Sequence, residues 1–173
     1  MKFILRMLPL VLVLLLVSQC GYKNPNIYNG PHKTIYVAQW KNRTSELELD
    51  QKIYRSLTEW FEKSGSISTV RQKGGSDLIL AGEVISIELP SLSYYNSSNA
   101  SEVKVRLRVR YILKEIATNR ILVEVPDETW TEEYFVSSSS STNMDNEEDA
   151  LDIIVEDLSK KIYQRTVSLL PTL

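Results

Sequence analysis

Cysteine and histidine, the side chains best suited to nucleophilic and metal chemistry, occur once each in this 173-residue chain, as Cys20 and His32. One cysteine allows no internal disulfide, and two such residues make no zinc site. Ser–His catalysis would rest on His32, within a Pro-, Asn- and Gly-rich stretch where no fixed geometry is expected. The sequence has no Gly-rich phosphate loop, no Gly-x-Ser-x-Gly elbow and no metal-ligand spacing. Lys73-Gly74-Gly75-Ser76 reads as a turn. The carboxylates gather at the starts of predicted helices, where the helix dipole accounts for them. The chain is therefore expected to be no enzyme and to hold no metal or cofactor.

Cys20 nevertheless has a chemistry of its own. Val17-Ser18-Gln19-Cys20 resembles a lipobox, where a diacylglycerol is attached to the cysteine before the leader is cut, although Gln19 replaces the small residue usual at −1. Lys2 and Arg6 precede an apolar run over residues 8–17, too short for a comfortable membrane span and fitting a secretory leader. The expected organisation is a signal peptide over 1–19, a lipidated tether over 20–33 and one domain over 34–170. Each buried methylene of a lipid chain contributes about 0.8 kcal/mol, so the two or three acyl chains of a mature lipoprotein, palmitate among them, anchor stably. Gly21 at the +2 position, rather than Asp, points by resemblance to enterobacterial sorting toward the outer membrane. Asn42-Arg43-Thr44, Asn96-Ser97-Ser98 and Asn99-Ala100-Ser101 match glycosylation sequons, which the lipobox makes irrelevant.

The second candidate is electrostatic. Lys104, Arg106, Arg108 and Arg110 alternate with Val103, Val105, Leu107 and Val109. In a strand the four cations share one face, about 7 Å apart. Such a row can bind a polyanion such as lipid phosphates, with Arg giving bidentate contacts. It can equally pair with Glu124, Glu128 and Glu132 of the next strand. A three-residue turn centred on Thr118 sets Lys104 opposite Glu132, Arg108 opposite Glu128 and Arg106 opposite Trp130. Cross-strand pairs of that kind contribute about 0.2–1 kcal/mol each. Tyr94 and Tyr95, adjacent in a polar loop, are candidates for a partner contact, where Tyr is enriched. The formal net charge is −2, and −4 once Lys2 and Arg6 leave with the leader, which argues against a nucleic-acid binder.

The elements that position these residues follow from periodicity. Residues 34–40 read as a strand. Ser45 and Glu48 have capping-box form, and Leu49, Ile53, Leu57, Trp60 and Phe61 recur at helical spacing, predicting a helix over 46–64 with Gly65 just past its end. Strands are expected over 77–89, with a bulge near Gly82, over 102–115, and over 120–136, with a kink at Pro126. The serine run 137–143 reads as a flexible connector. Asp145-Asn146-Glu147-Glu148-Asp149 opens a final helix carrying Ala150, Leu151, Ile154, Leu158 and Ile162. The order β-α-β-β-β-α predicts an α+β two-layer sandwich, with both helices on one face of a four-stranded mixed sheet and the other face open.

In this order the pieces resemble a family. Cys20-Gly21-Tyr22 is followed by Ile35-Tyr36-Val37, Asn42-Arg43-Thr44 and an amphipathic helix. Then come Asp77-Leu78-Ile79-Leu80-Ala81-Gly82-Glu83-Val84, a Tyr-bearing loop, the Val/Leu strand and Asp145-Asn146-Glu147. The whole mature part is similar to the lipopolysaccharide-assembly lipoprotein family, LptE. The resemblance implies two helices on a four-stranded sheet, an outer-membrane location inside the lumen of the β-barrel LptD, help in assembling that barrel, and binding of lipopolysaccharide without catalysis. Relatives are associated with lipopolysaccharide contacts at basic residues in two loops. The corresponding stretches here, 91–101 and 137–149, carry no Lys or Arg, which turns attention to the row from Lys104 to Arg110. The chain also resembles outer-membrane activators of peptidoglycan synthases and curli-type secretion lipoproteins, which likewise bind partners.

Overall fold

The computed structural model describes residues 28, 30–89, 101–137 and 139–170. Cys20, Tyr94 and Tyr95 lie outside the described residues. The elements are β1 (Lys33–Val37), β2 (Lys41–Asn42), α1 (Leu49–Glu62), β3 (Ile67–Thr69), β4 (Leu78–Glu88), β5 (Ser101–Glu115), β6 (Ile121–Val136) and α2 (Ser140–Leu169). One mixed sheet runs in the order β3-β1-β4-β5-β6, with β2 pairing β4 beyond the end of β1. β1 is parallel to both β3 and β4, as strands joined through a helical crossover must be. β4, β5 and β6 continue antiparallel.

The two-layer α+β class is the one the sequence predicts, but the sheet has six strands rather than four. The additional strands, β2 and β3, have two and three residues, too few for a hydrophobic period to show. Leu49, Ile53, Leu57 and Phe61 form the buried stripe of α1. They join Ile35, Leu80, Leu107 and Leu158 in one core cluster between helices and sheet. Each such side chain contributes about 1.5–3 kcal/mol on burial. Tyr28, which the sequence puts in the tether, is fully buried in this core.

Three local expectations change. No bulge forms at Gly82; the register shifts instead between Val84 and Ser86. Gly82 is required because a Cβ there would lie 2.4 Å from the ring of Trp40, which is buried and stacks on Tyr111 at 6.2 Å. The capping box at Ser45 is not made. Glu48 is the N-cap of α1, at φ 64 and without a side-chain cap bond. Asn42 organises the approach to the helix instead: its Oδ1 accepts from Thr44 N and Oγ1 at 2.9 and 2.7 Å, and its Nδ2 donates to Glu46 O at 2.7 Å. Gly65 does take the left-handed conformation after α1, at φ 69.

The serine run is not a connector but the N-terminus of α2. Ser139 is the N-cap, its Oγ accepting from Thr142 N at 3.4 Å. The buried Asn143 accepts from Ser137 N at 2.7 Å and donates to Ser137 O at 2.9 Å. This locks the end of β6 to the first turn of the helix.

Candidate functional site

The cations from Lys104 to Arg110 stand in one row on the sheet face opposite the helices, because Val103, Val105, Leu107 and Val109 are buried beneath the helices. All four are paired. Lys104 Nζ lies 2.6 Å from Glu133 Oε1. Arg106 Nη1 donates to Glu88 Oε2 at 3.3 Å. Arg108 donates through Nε and Nη2 to the two oxygens of Asp127, at 3.3 and 2.5 Å, which holds the Asp127 carboxyl below its ordinary pKa. Arg110 donates through Nε to Glu83 Oε2 at 2.7 Å, with Nη2 on the same oxygen.

These are not the partners the sequence predicts. Lys104 faces Glu133 rather than Glu132, Arg106 faces Thr131 rather than Trp130, and Arg108 faces Thr129 rather than Glu128. The cause is a register shift between Val109 and Tyr111. Around Tyr111 to Leu113 the pairing is the one a turn at Thr118 gives, with Ile112 opposite Glu124. Pro126, which has no N–H for the ladder, lies at the shift, and one extra residue on β6 reverses every side chain beyond it. Asp127, Thr129, Thr131 and Glu133 therefore accompany the basic row. Glu128 and Glu132 turn to the helix side.

On that side Glu128 meets α2. Arg165 donates through Nη1 and Nη2 to its two oxygens, both at 2.8 Å, and the Tyr111 hydroxyl bonds both Arg165 and Glu128. Burial pushes the Tyr111 phenol up to about 12, against the opposing pull of Arg165. The hydrogen bonds to Glu128 and Tyr111 raise Arg165 above its ordinary range despite its desolvation. The two helices are tied to each other by Lys52, which reaches Glu148 at 3.0 Å and Asp152 at 2.7 Å, and by Trp60 Nε1, which donates to Glu156 at 3.0 Å.

Arg43 is a site residue that periodicity misses. It follows β2, its N–H donates to Val84 O at 3.2 Å, and its guanidinium Nε lies against Glu83 Oε1. Glu83 thus sits between two arginines with its side chain only 8% exposed. A charge in the apolar run Leu78 to Val84, beside a basic strand, is the signal that marks it in the sequence. Among the described residues no group of three or more His, Cys, Asp or Glu is placed to hold a metal ion, and no helix is long and apolar enough to cross a membrane.

Fold and face together define a small two-layer α+β domain whose sheet side away from the helices carries a charged ladder. The chain belongs to the LptE lipopolysaccharide-assembly family, whose model matches residues 32–166. No curated protein matches the chain by sequence. Among solved structures it is similar to a Xanthomonas campestris protein at 15% identity and TM-score 0.52, covering 82% of this chain and 88% of that one. A Chlamydia trachomatis protein gives 10% identity and TM-score 0.53, covering 80% and 97%. A Caulobacter crescentus protein, named as a candidate lipoprotein, gives 11% and 0.52, covering 78% and 88%. At these identities the likeness is one of fold.

Proposed function

We propose that this chain is the lipoprotein subunit of the lipopolysaccharide translocon, anchored at the outer membrane through lipid on Cys20 and seated in the lumen of the β-barrel LptD. It helps that barrel assemble and binds lipopolysaccharide on its way to the outer leaflet. It acts by binding, and no catalytic step is assigned to it. The observation that carries this reading is the family match over residues 32–166. The open sheet face supports it. Exposed ion pairs contribute only about 0–1 kcal/mol, so lipid phosphates can compete for Lys104, Arg106 and Arg108 at little cost, whereas Arg110 stays held by the buried Glu83. Tyr94 and Tyr95 are the candidate contacts with the barrel.

The test is a pull-down of the tagged, lipidated protein from detergent-solubilised outer membranes, with mass spectrometry of what accompanies it. A stoichiometric large β-barrel is expected. Recovery of a peptidoglycan synthase, or of no barrel, would overturn the assignment.

A further inference from the structure

Along the basic row, three cations have one carboxylate each. At the fourth the balance breaks. Glu83 is shared by Arg110 and Arg43, and Lys41 is its register partner on β2, hence on the same face. Lys41, Arg43 and Arg110 are all exposed while Glu83 is buried. One carboxylate therefore orients two guanidinium groups without spending their outward donors. Arg43 meets Glu83 Oε1 through Nε as an ion pair without a hydrogen bond, while Arg110 donates through Nε and Nη2 to Oε2. The remaining N–H groups and the ammonium of Lys41 are left for an anion. A planar, pre-oriented arginine pair is suited to the several oxygens of a phosphate.

Next to this corner the open face is apolar. A shallow depression of about 360 Å³ includes Ala81, Ile112 and Pro126, with Arg110 on one wall and Glu124 on the other. Glu124 bonds no cation among the described residues, so an anion is repelled from that end and must sit at the Arg43 end. The site is thus cationic at one end and apolar beside it.

We propose that this corner binds the phosphate head of an amphiphile, with Lys41, Arg43 and Arg110 holding a phosphomonoester and Ala81, Ile112 and Pro126 taking the adjoining apolar part. The proposal deepens the translocon reading by naming where on the open face a lipid phosphate is held. Its test needs no barrel, so it can fail while co-purification with the barrel succeeds.

The full-length chain in neutral detergent micelles is titrated with lysophosphatidic acid, lysophosphatidylcholine and inorganic phosphate, following the arginine Nε–H resonances by NMR. Lysophosphatidic acid should shift Arg43 and Arg110 saturably, and lysophosphatidylcholine should not. Each cation beside an anionic headgroup contributes roughly a factor of five, so the double variant Lys41→Gln/Arg43→Gln should bind about 25-fold more weakly. Glu124→Gln should bind more tightly, a gain that misfolding cannot mimic. Lys160→Gln/Lys161→Gln, on the exposed side of α2, should bind as the unaltered chain does. An equal loss in that control would mean diffuse attraction and overturn the site. Saturation by inorganic phosphate at the same concentration would leave the apolar floor without a role and overturn it too.

Discussion

Tyr111 is where the sheet, the charged cluster and the second helix meet. Its ring stacks on Trp40, and its hydroxyl closes a triangle with Arg165 of α2 and Glu128 of β6. Burial raises the phenol to about 12 from an ordinary value of 10.0. Above pH 10 an unfolded chain surrenders this proton while the folded chain keeps it. The folded state then binds more protons than the unfolded one, so stability must fall with rising pH. The contribution is intact below about pH 10 and is lost as pH rises toward about 12. Tyr111→Phe removes the titration and the two hydrogen bonds of the hydroxyl, which lowers stability at neutral pH but flattens this part of the alkaline limb. Urea midpoints of the two chains measured through this range should converge as pH rises. Parallel curves would mean that Tyr111 does not couple the two elements through its proton.

At the scale of elements, the ends of strands and helices carry more information than their middles. Asn143 shows this for α2. Its amide bonds both the N–H and the carbonyl of Ser137 while the Ser139 hydroxyl caps the helix. Asn143→Ala loses two hydrogen bonds to the Ser137 backbone and should cost about 1–3 kcal/mol. Hydrogen exchange should show fraying confined to the first turns of α2, and unchanged protection there would mean that Asn143 does not lock this helix end to β6. The serine run hides this in the sequence, because a serine favours caps and turns as readily as flexible connectors. The middles of elements were legible. Alternation placed β5 with Val103, Val105, Leu107 and Val109 inward, and the stripe from Leu49 to Phe61 marked the buried side of α1. The partners of the basic row were not legible, since the side-chain period is two and a single extra residue at Pro126 interchanges the faces of all that follows. Glu128 and Glu132 were therefore expected beside the arginines, and Asp127 and Glu133 are found there. Arg43 follows a two-residue strand, where no period exists to assign its face.

For the whole molecule, the position of Tyr28 sets how far the domain can stand from its anchor. A tether ending at residue 33 would span thirteen peptide steps from Cys20, roughly 45 Å at full extension. Tyr28 is buried in the core, so at most eight peptide steps separate the domain from Cys20, a span of roughly 28 Å at most. With lipid on Cys20, as proposed above, the domain is held within that distance of the membrane. Under the proposed function it enters the barrel lumen from there while the acyl chains stay in the bilayer. Deleting residues 23–26 halves the reach and leaves Tyr28 and every other core residue in place. The urea midpoint of the shortened chain should equal that of the unaltered one, and the yield of barrel complex from outer membranes should fall. Replacing the four residues with Gly and Ser should restore the yield, because the same number of residues restores the span. A shortened chain that still fills its barrel would show that docking draws on some other slack, and that the burial of Tyr28 serves the core alone.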